Sequence, residues 1–262
     1  MRNGMPLQDK IVVVTGASSG IGAVTAEMLA RKGALPILMA RSEDKLNAIR
    51  SRLSGPSDSY VLDVTSTEQV FSVMEQVIAR YGRIDILINN AGYGVFEPFL
   101  EAPLERIWDM MDVNYMGTVR CTKAVLPHML RSGRGHIVNI ASMAGKIGTA
   151  KSSGYAATKH AVLGFTNSLR QELAGTGVRL SAVNPGPVDT PFFDRADPTG
   201  NYVSNVRWFM IKPERVALAV LNAIERGKAE IDLPLTAAAG IKLYQLFPRL
   251  FDRIAGRLIN KK

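Results

Sequence analysis

The feature that most constrains this chain is an alternation of short β-branched or apolar runs with helical patterns through its first two-thirds. Ile11–Val14, Leu35–Ala40, Tyr60–Val64, Ile84–Asn89, His136–Ala141 and Arg179–Asn184 read as strands. Between them, Ile21–Lys32, Glu43–Leu53, Thr67–Tyr81, Leu104–Leu130 and Tyr155–Leu173 carry apolar residues at helical spacing. Strands joined through helices return parallel, so the expected fold is α/β, a doubly wound parallel β-sheet with helices on both faces. No internal repeat or low-complexity linker divides the 262 residues, and 1–262 is expected to form a single domain. The one long irregular stretch, 186–212, is rich in Pro, Gly, Asp and aromatics. A loop of that length inside a compact domain usually serves function, here as a substrate loop. Pro213–Arg226 then reads as a helix with proline near its start.

Apolar residues make up 47% of the chain and charged ones 21%, a balance that excludes disorder and supplies a large core. Met1–Lys10 carries no apolar run suited to a signal peptide, and no stretch approaches the roughly 18 apolar residues of a spanning helix. The single cysteine, Cys121, cannot form an internal disulfide. A cytoplasmic protein is therefore expected. The net charge of +9 is concentrated at the end, where Lys242, Arg249, Arg253, Arg257, Lys261 and Lys262 face only Asp252. With no nucleic-acid motif present, no nucleic-acid partner is expected.

The first strand runs straight into Thr15-Gly16-Ala17-Ser18-Ser19-Gly20-Ile21-Gly22, where a helix begins. Glycines there permit a tight turn and close approach of backbone to a pyrophosphate. The helix behind them offers unpaired N–H groups and the positive end of its dipole. The placement matches a Rossmann-type dinucleotide site, which also calls for a ribose contact about 20 residues further on. An acid there would accept from a 2′-hydroxyl and repel a 2′-phosphate. Here the second strand ends in Ala40 and continues with Arg41, whose charge favours the phosphate. NADP(H) is the expected cofactor, with NAD(H) as the alternative.

Tyr155 and Lys159 stand four residues apart, on one face of a helix. A cation close to a phenol stabilises phenolate and lowers its pKa from near 10. A tyrosine tuned in this way donates a proton to a nascent alkoxide near neutral pH. Ser142, just after the strand over 136–141, is placed to bond the same substrate oxygen.

In these residues and their spacing the chain resembles the short-chain dehydrogenase/reductase family from about Lys10 to Arg226. The turn Thr15–Gly22 is similar to that family's cofactor fingerprint. Leu62-Asp63-Val64 resembles its adenine segment, Asn89-Asn90-Ala91-Gly92 its motif after the fourth strand, and Pro185-Gly186-Pro187-Val188-Asp189-Thr190 its nicotinamide segment. The resemblance implies Asn114, Ser142, Tyr155 and Lys159 as the catalytic set. Tyr155 would be general acid in reduction and general base in oxidation. Lys159 would lower its pKa and hold the nicotinamide ribose, Ser142 would orient the carbonyl, and Asn114 would hold a water in a proton relay. Cofactor contacts would come from Gly16, Ser18, Ser19, Gly20, Ile21, Gly22, Arg41, Asp63, Val64, Asn90, Ala91, Gly92, Tyr155, Lys159, Pro185, Gly186, Val188 and Thr190. The implied activity is NADP(H)-dependent reduction of a ketone or aldehyde. The rivals are an NAD-dependent alcohol dehydrogenase of this fold and a catalytically silent NADP-binding regulator. The family also implies a homodimer or homotetramer.

The remaining candidates read as ordinary packing. His128, His136 and His160 share no metal-ligand spacing with each other or with Cys121, so no metal site is expected, and Cys121 reads as a buried inert thiol. Trp108, Met110 and Met111 fit either a subunit interface or the core. Phe192, Phe193, Trp208 and Phe209 either line an apolar substrate pocket or anchor their loop. In the basic tail, 234–262, Phe247, Phe251, Ile254 and Leu258 recur at helical spacing with Pro248 suited to a first turn. Such an amphipathic helix either covers a protein groove, the preferred reading, or touches an anionic membrane surface.

Overall fold

The computed structural model describes residues 4–247. Six strands fall where the sequence places them: β1 (Ile11–Thr15), β2 (Leu35–Ala40), β3 (Asp58–Val61), β4 (Ile86–Asn89), β5 (Gly135–Ile140) and β6 (Val178–Pro185). A seventh, β7 (Glu230–Leu233), was not expected. All pair in parallel in the order β3-β2-β1-β4-β5-β6-β7. Sequence order reverses between β1 and β4, and an open α/β sheet forms its ligand crevice at that point.

Because side chains alternate across a strand, the buried runs serve two cores. Val12 and Val14 pack with Leu38, Ile88 and Val138 against α1 (Gly20–Arg31) and α9 (Pro213–Arg226). Val13, Ile37, Met39 and Leu87 pack on the other face against α3 (Thr67–Tyr81) and α5 (Gly117–Ser132). Cys121 lies in this second core, where burial pushes its thiol up to about 12 and leaves it inert. α6 (Ser153–Glu172) completes the face behind β5 and β6 through Val162 and Leu163. α2 (Glu43–Arg50) closes the β2 end, with Ser42 capping Lys45 N–H.

Four departures from the sequence reading stand out. The single helix expected over 104–130 is α4 (Leu104–Met111) and α5 joined by a π-helical turn, Asp112–Met116. A π turn inserts one residue without ending the helix, so the apolar pattern does not reveal it. The stretch 186–212 is more ordered than its composition suggests: it holds α7 (Phe192–Ala196), α8 (Asn201–Val206) and a 3₁₀ turn, Arg207–Phe209. Asp197 fixes the connection by accepting from Val203 N–H and the Thr199 hydroxyl. Finally, a helix that the sequence reading did not place, α10 (Leu235–Leu246), precedes that tail pattern and is capped at Phe247. Phe251, Ile254, Leu258 and Pro248 lie outside the described residues. Glu-Ile-Asp-Leu of β7 conceals an edge strand because its acids are paired: Lys146 Nζ meets both Glu230 and Asp232. No helix among the described residues is long and apolar enough to cross a membrane.

Candidate active site

At the C-terminal ends of β1, β4, β5 and β6 lies a cavity of about 620 Å³. Every expected cofactor or catalytic residue lines it except Gly22 and Asn114. The glycine turn is built for close approach. Gly16 has φ +64°, and a Cβ on it would stand 2.8 Å from Ala91 Cα. Gly22 stays out of the cavity because its task is packing: a Cβ there would lie 2.4 Å from Gly16 O. Asn90 ties the turn down by donating to Thr15 O and Gly16 O, while the Thr15 hydroxyl accepts from Asn90 N–H and Ala91 N–H. Ser19 precedes α1 without capping it through its side chain, so the first-turn N–H groups face the cavity rim without that internal acceptor. Across the crevice the Thr190 side chain reaches to within contact of where a Gly20 Cβ would be, 3.3 Å away. A turn floored by glycine, fronted by a helix N-terminus and roofed by Thr190 fits a dinucleotide pyrophosphate.

At the β2 end, Arg41 is exposed and has no carboxylate partner among the described residues. Lys45 joins it in the cavity wall, a second cation that the sequence reading missed although it stands one helical turn beyond. Asp63 and Val64 form the facing wall. The Asp63 N–H is held by Gln69 Oε1 and its Oδ1 by Thr65, so the segment is fixed in place.

The catalytic candidates meet at the other end. Ser142 opens a 3₁₀ turn after β5, accepting from Ala144 N–H and donating to Pro185 O at 3.3 Å. Tyr155 and Lys159 project from the start of α6, both buried. Lys159 Nζ donates to Ile140 O at 2.9 Å and lies 5.8 Å from the Tyr155 ring centroid. Burial dominates both groups. It pushes Tyr155 up to about 12, against the opposing hydrogen bond with Ser142, and pulls Lys159 down to about 8. Tyr155 thus stands above its ordinary value, because desolvation of the phenolate outweighs the Ser142 hydrogen bond that lowers it.

Asn114, at the middle of the π turn, does not reach the cavity. Both its amide N–H groups are spent on protein, one on Tyr93 O and one on the Thr158 hydroxyl. Its side chain thus ties the Tyr93 segment to α6.

Several cavity residues carried no recognisable signal in the sequence: Tyr93, Phe96, Asp109, Arg195 and Tyr202. Phe192 and Phe193 join them as pocket lining, which resolves that alternative for these two. Trp208 and Phe209 do not; they meet edge-to-face with centroids 4.8 Å apart, and Trp208 is exposed.

Fold and site together define a nucleotide-linked oxidoreductase. The sequence profile described as short chain dehydrogenase matches residues 10–200, and the chain belongs to that family. An uncharacterised oxidoreductase of Staphylococcus saprophyticus is 44% identical over 195 residues, covering 73% of this chain and 83% of the relative. Among solved structures, a short-chain dehydrogenase from Streptomyces avermitilis superposes with TM-score 0.84 at 29% identity, covering 97% of this chain and 98% of that one. The actinorhodin polyketide ketoreductase, crystallised with NADPH, gives 0.77 at 33% identity over 86% of this chain and 95% of its own.

Proposed function

We propose that the protein reduces a ketone or aldehyde to an alcohol with NADPH. The observation that carries this reading is a buried phenol, Tyr155, hydrogen-bonded with Ser142 beside Lys159 in the same cavity as the glycine turn. A bound nicotinamide supplies the hydride for the carbonyl carbon. The chain's own residues do the rest. Gly16, Ser18, Ser19, Gly20 and Ile21 would hold the pyrophosphate, with Arg41 and Lys45 on the 2′-phosphate. Asp63, Val64, Asn90, Ala91 and Gly92 would border the adenosine, and Pro185, Gly186, Val188 and Thr190 the carboxamide.

Ser142, turning its hydroxyl proton away from Pro185 O, would donate to the carbonyl oxygen and fix its position. Tyr155, held protonated by burial, gives its proton to that oxygen as negative charge develops. An alkoxide is a stronger base than any phenolate, so even a phenol near 12 delivers the proton downhill. The same elevation disfavours the oxidative direction, which needs phenolate at the start. Lys159, still largely protonated at neutral pH with its value near 8, stabilises the phenolate left behind. The polyketide ketoreductase with NADPH supports both the cofactor and the direction.

Titration calorimetry with NADPH and NADH, followed by a carbonyl panel with Tyr155→Phe, tests the reading. Preference for NADPH and loss of turnover at unchanged cofactor affinity are expected; retained turnover overturns the role of Tyr155. NADH preference with alcohol oxidation would instead select the dehydrogenase alternative. Binding without turnover of any carbonyl would select the silent regulator.

We further propose a homodimer or homotetramer of cytoplasmic enzyme. Its support is the apolar surface at the start of α4, where Leu104 and Trp108 are 75% and 77% exposed. Analytical ultracentrifugation of the wild type and Trp108→Glu checks it.

A further inference from the structure

Resting on the reductase reading, we infer that the substrate is an apolar carbonyl compound, aryl or long-chain alkyl, and that Phe192 determines this specificity. The Tyr155 ring is flanked on two sides by aromatic rings. Phe96 meets it edge-on with centroids 5.9 Å apart, and Phe192 meets it at 5.6 Å. Gly94 makes this meeting possible, since a Cβ there would stand 2.8 Å from Phe192 Cζ and 2.9 Å from Tyr155 Cδ2. The wall continues through Tyr202, 5.0 Å from Phe96, and Phe193, 5.3 Å from Phe192. Two separate elements build it, the segment after β4 and the α7–α8 stretch, so the apolar surface is not the by-product of one helix.

Several polar groups close to this wall are already engaged with protein. The Tyr93 hydroxyl is bonded to Asp109, and Thr149 and Ser152 hydroxyls bond each other at 3.0 Å. Ser152 also donates to Thr149 O. Ser142 and Tyr155 serve one oxygen, the carbonyl being reduced. A polyhydroxylated substrate would press its other hydroxyls against rings. Each such orphan weakens binding about five- to a hundredfold. An apolar body instead gains from leaving water, and rings prefer the edge-to-face contacts this wall offers.

The test compares propiophenone with ribulose, two ketones of equal heavy-atom count. Dissociation constants are measured by NMR titration against the NADPH-loaded protein, and NADPH consumption is followed separately. Wild type, Phe192→Ser and Phe192→Leu are compared, with NADPH affinity of each as the control for an intact fold. Expected are propiophenone binding at least tenfold tighter than ribulose, at least a tenfold loss in Phe192→Ser, and retention within about threefold in Phe192→Leu, as scales with apolar area. Equal or tighter ribulose binding, or propiophenone affinity indifferent to Phe192→Ser, overturns the inference. Propiophenone binding with the expected dependence but no NADPH consumption leaves the apolar site standing and removes the reductase reading. Reduction of ribulose in preference does the reverse.

Discussion

The side-chain amide of Asn114 holds the Tyr93 peptide by both polar groups, accepting from its N–H at 2.9 Å and donating to its carbonyl at 2.8 Å. This is how a helix on one side of the sheet fixes the irregular chain leaving β4. The approach depends on Gly92, where a Cβ would stand 2.9 Å from Asn114 Oδ1. It also depends on the π turn that carries Asn114. Asn114→Ala strips two backbone groups and the Thr158 hydroxyl of a partner, an expected cost of about 1–3 kcal/mol. For a chain of this length that lowers Tm by about 3–10 °C. Thermal unfolding measures it, and a shift below about 1 °C would show that water replaces the amide without loss.

Tyr93 is also engaged from the cavity side. The Arg195 guanidinium lies 3.4 Å from its ring centroid and 3.9 Å from the Asp109 carboxylate, to which the Tyr93 hydroxyl bonds. The contact joins α7 to α4 across the cavity mouth. Arg195 and Asp109 are both about half exposed, so the ion pair itself contributes little. Stacking over the ring contributes about 0.5–1 kcal/mol. Arg195→Ala is therefore expected to leave Tm within about 3 °C while raising amide exchange of Phe192–Ala196 severalfold. Unchanged exchange would show that α7 is held by its aromatic contacts alone.

The legible part of this molecule was the part written in periodicity and in local motifs. β1, the glycine turn and α3 could be placed because apolar spacing and turn residues act within a few residues. Tyr155, Lys159 and Ser142 were found because their spacing is chemical, and the cavity gathers them. What stayed hidden depends on contacts between distant segments. Phe96 and Tyr202 carry no local sign that they meet. β7 looks polar until Lys146, 86 positions before Asp232, neutralises its acids. The elevation of Tyr155 belongs to the same group, since burial is a property of the folded whole.

That elevation and the depressed lysine make a stability prediction of definite sign. Below pH 8 folded and unfolded Lys159 are both protonated, and folding bears the cost of burying the charge. Between about 8 and the unfolded value near 10.4 the folded protein binds fewer protons, so stability rises with pH in that window. Tyr155 acts oppositely and later: raised to about 12, it keeps its proton when folded, and its contribution is lost as pH climbs from 10 toward 12. Denaturant unfolding of the cofactor-free protein at pH 8, 9 and 10 should show wild type gaining on Lys159→Met. A flat difference would mean that the folded lysine keeps an ordinary pKa.

The proposed preference for NADPH rests on two cations. Arg41 and Lys45 border the β2 end of the cavity, and Arg41 has no acid among the described residues to compete for it. A charged hydrogen bond to a 2′-phosphate is worth about 1.5–3 kcal/mol, or roughly ten- to a hundredfold in affinity. Arg41→Glu replaces attraction with repulsion and supplies an acceptor for a 2′-hydroxyl. It is expected to weaken NADPH by at least that factor while strengthening NADH. Lys45→Ala, removing a point charge without adding repulsion, should weaken NADPH by less and leave NADH unchanged. Because both sites are solvent-facing, the NADPH advantage of wild type should shrink as salt rises from low to molar. Calorimetric titration of both cofactors at two salt concentrations measures all of this. A preference that survives Arg41→Glu would place the selectivity in the adenosine wall of Asp63 and Val64 instead.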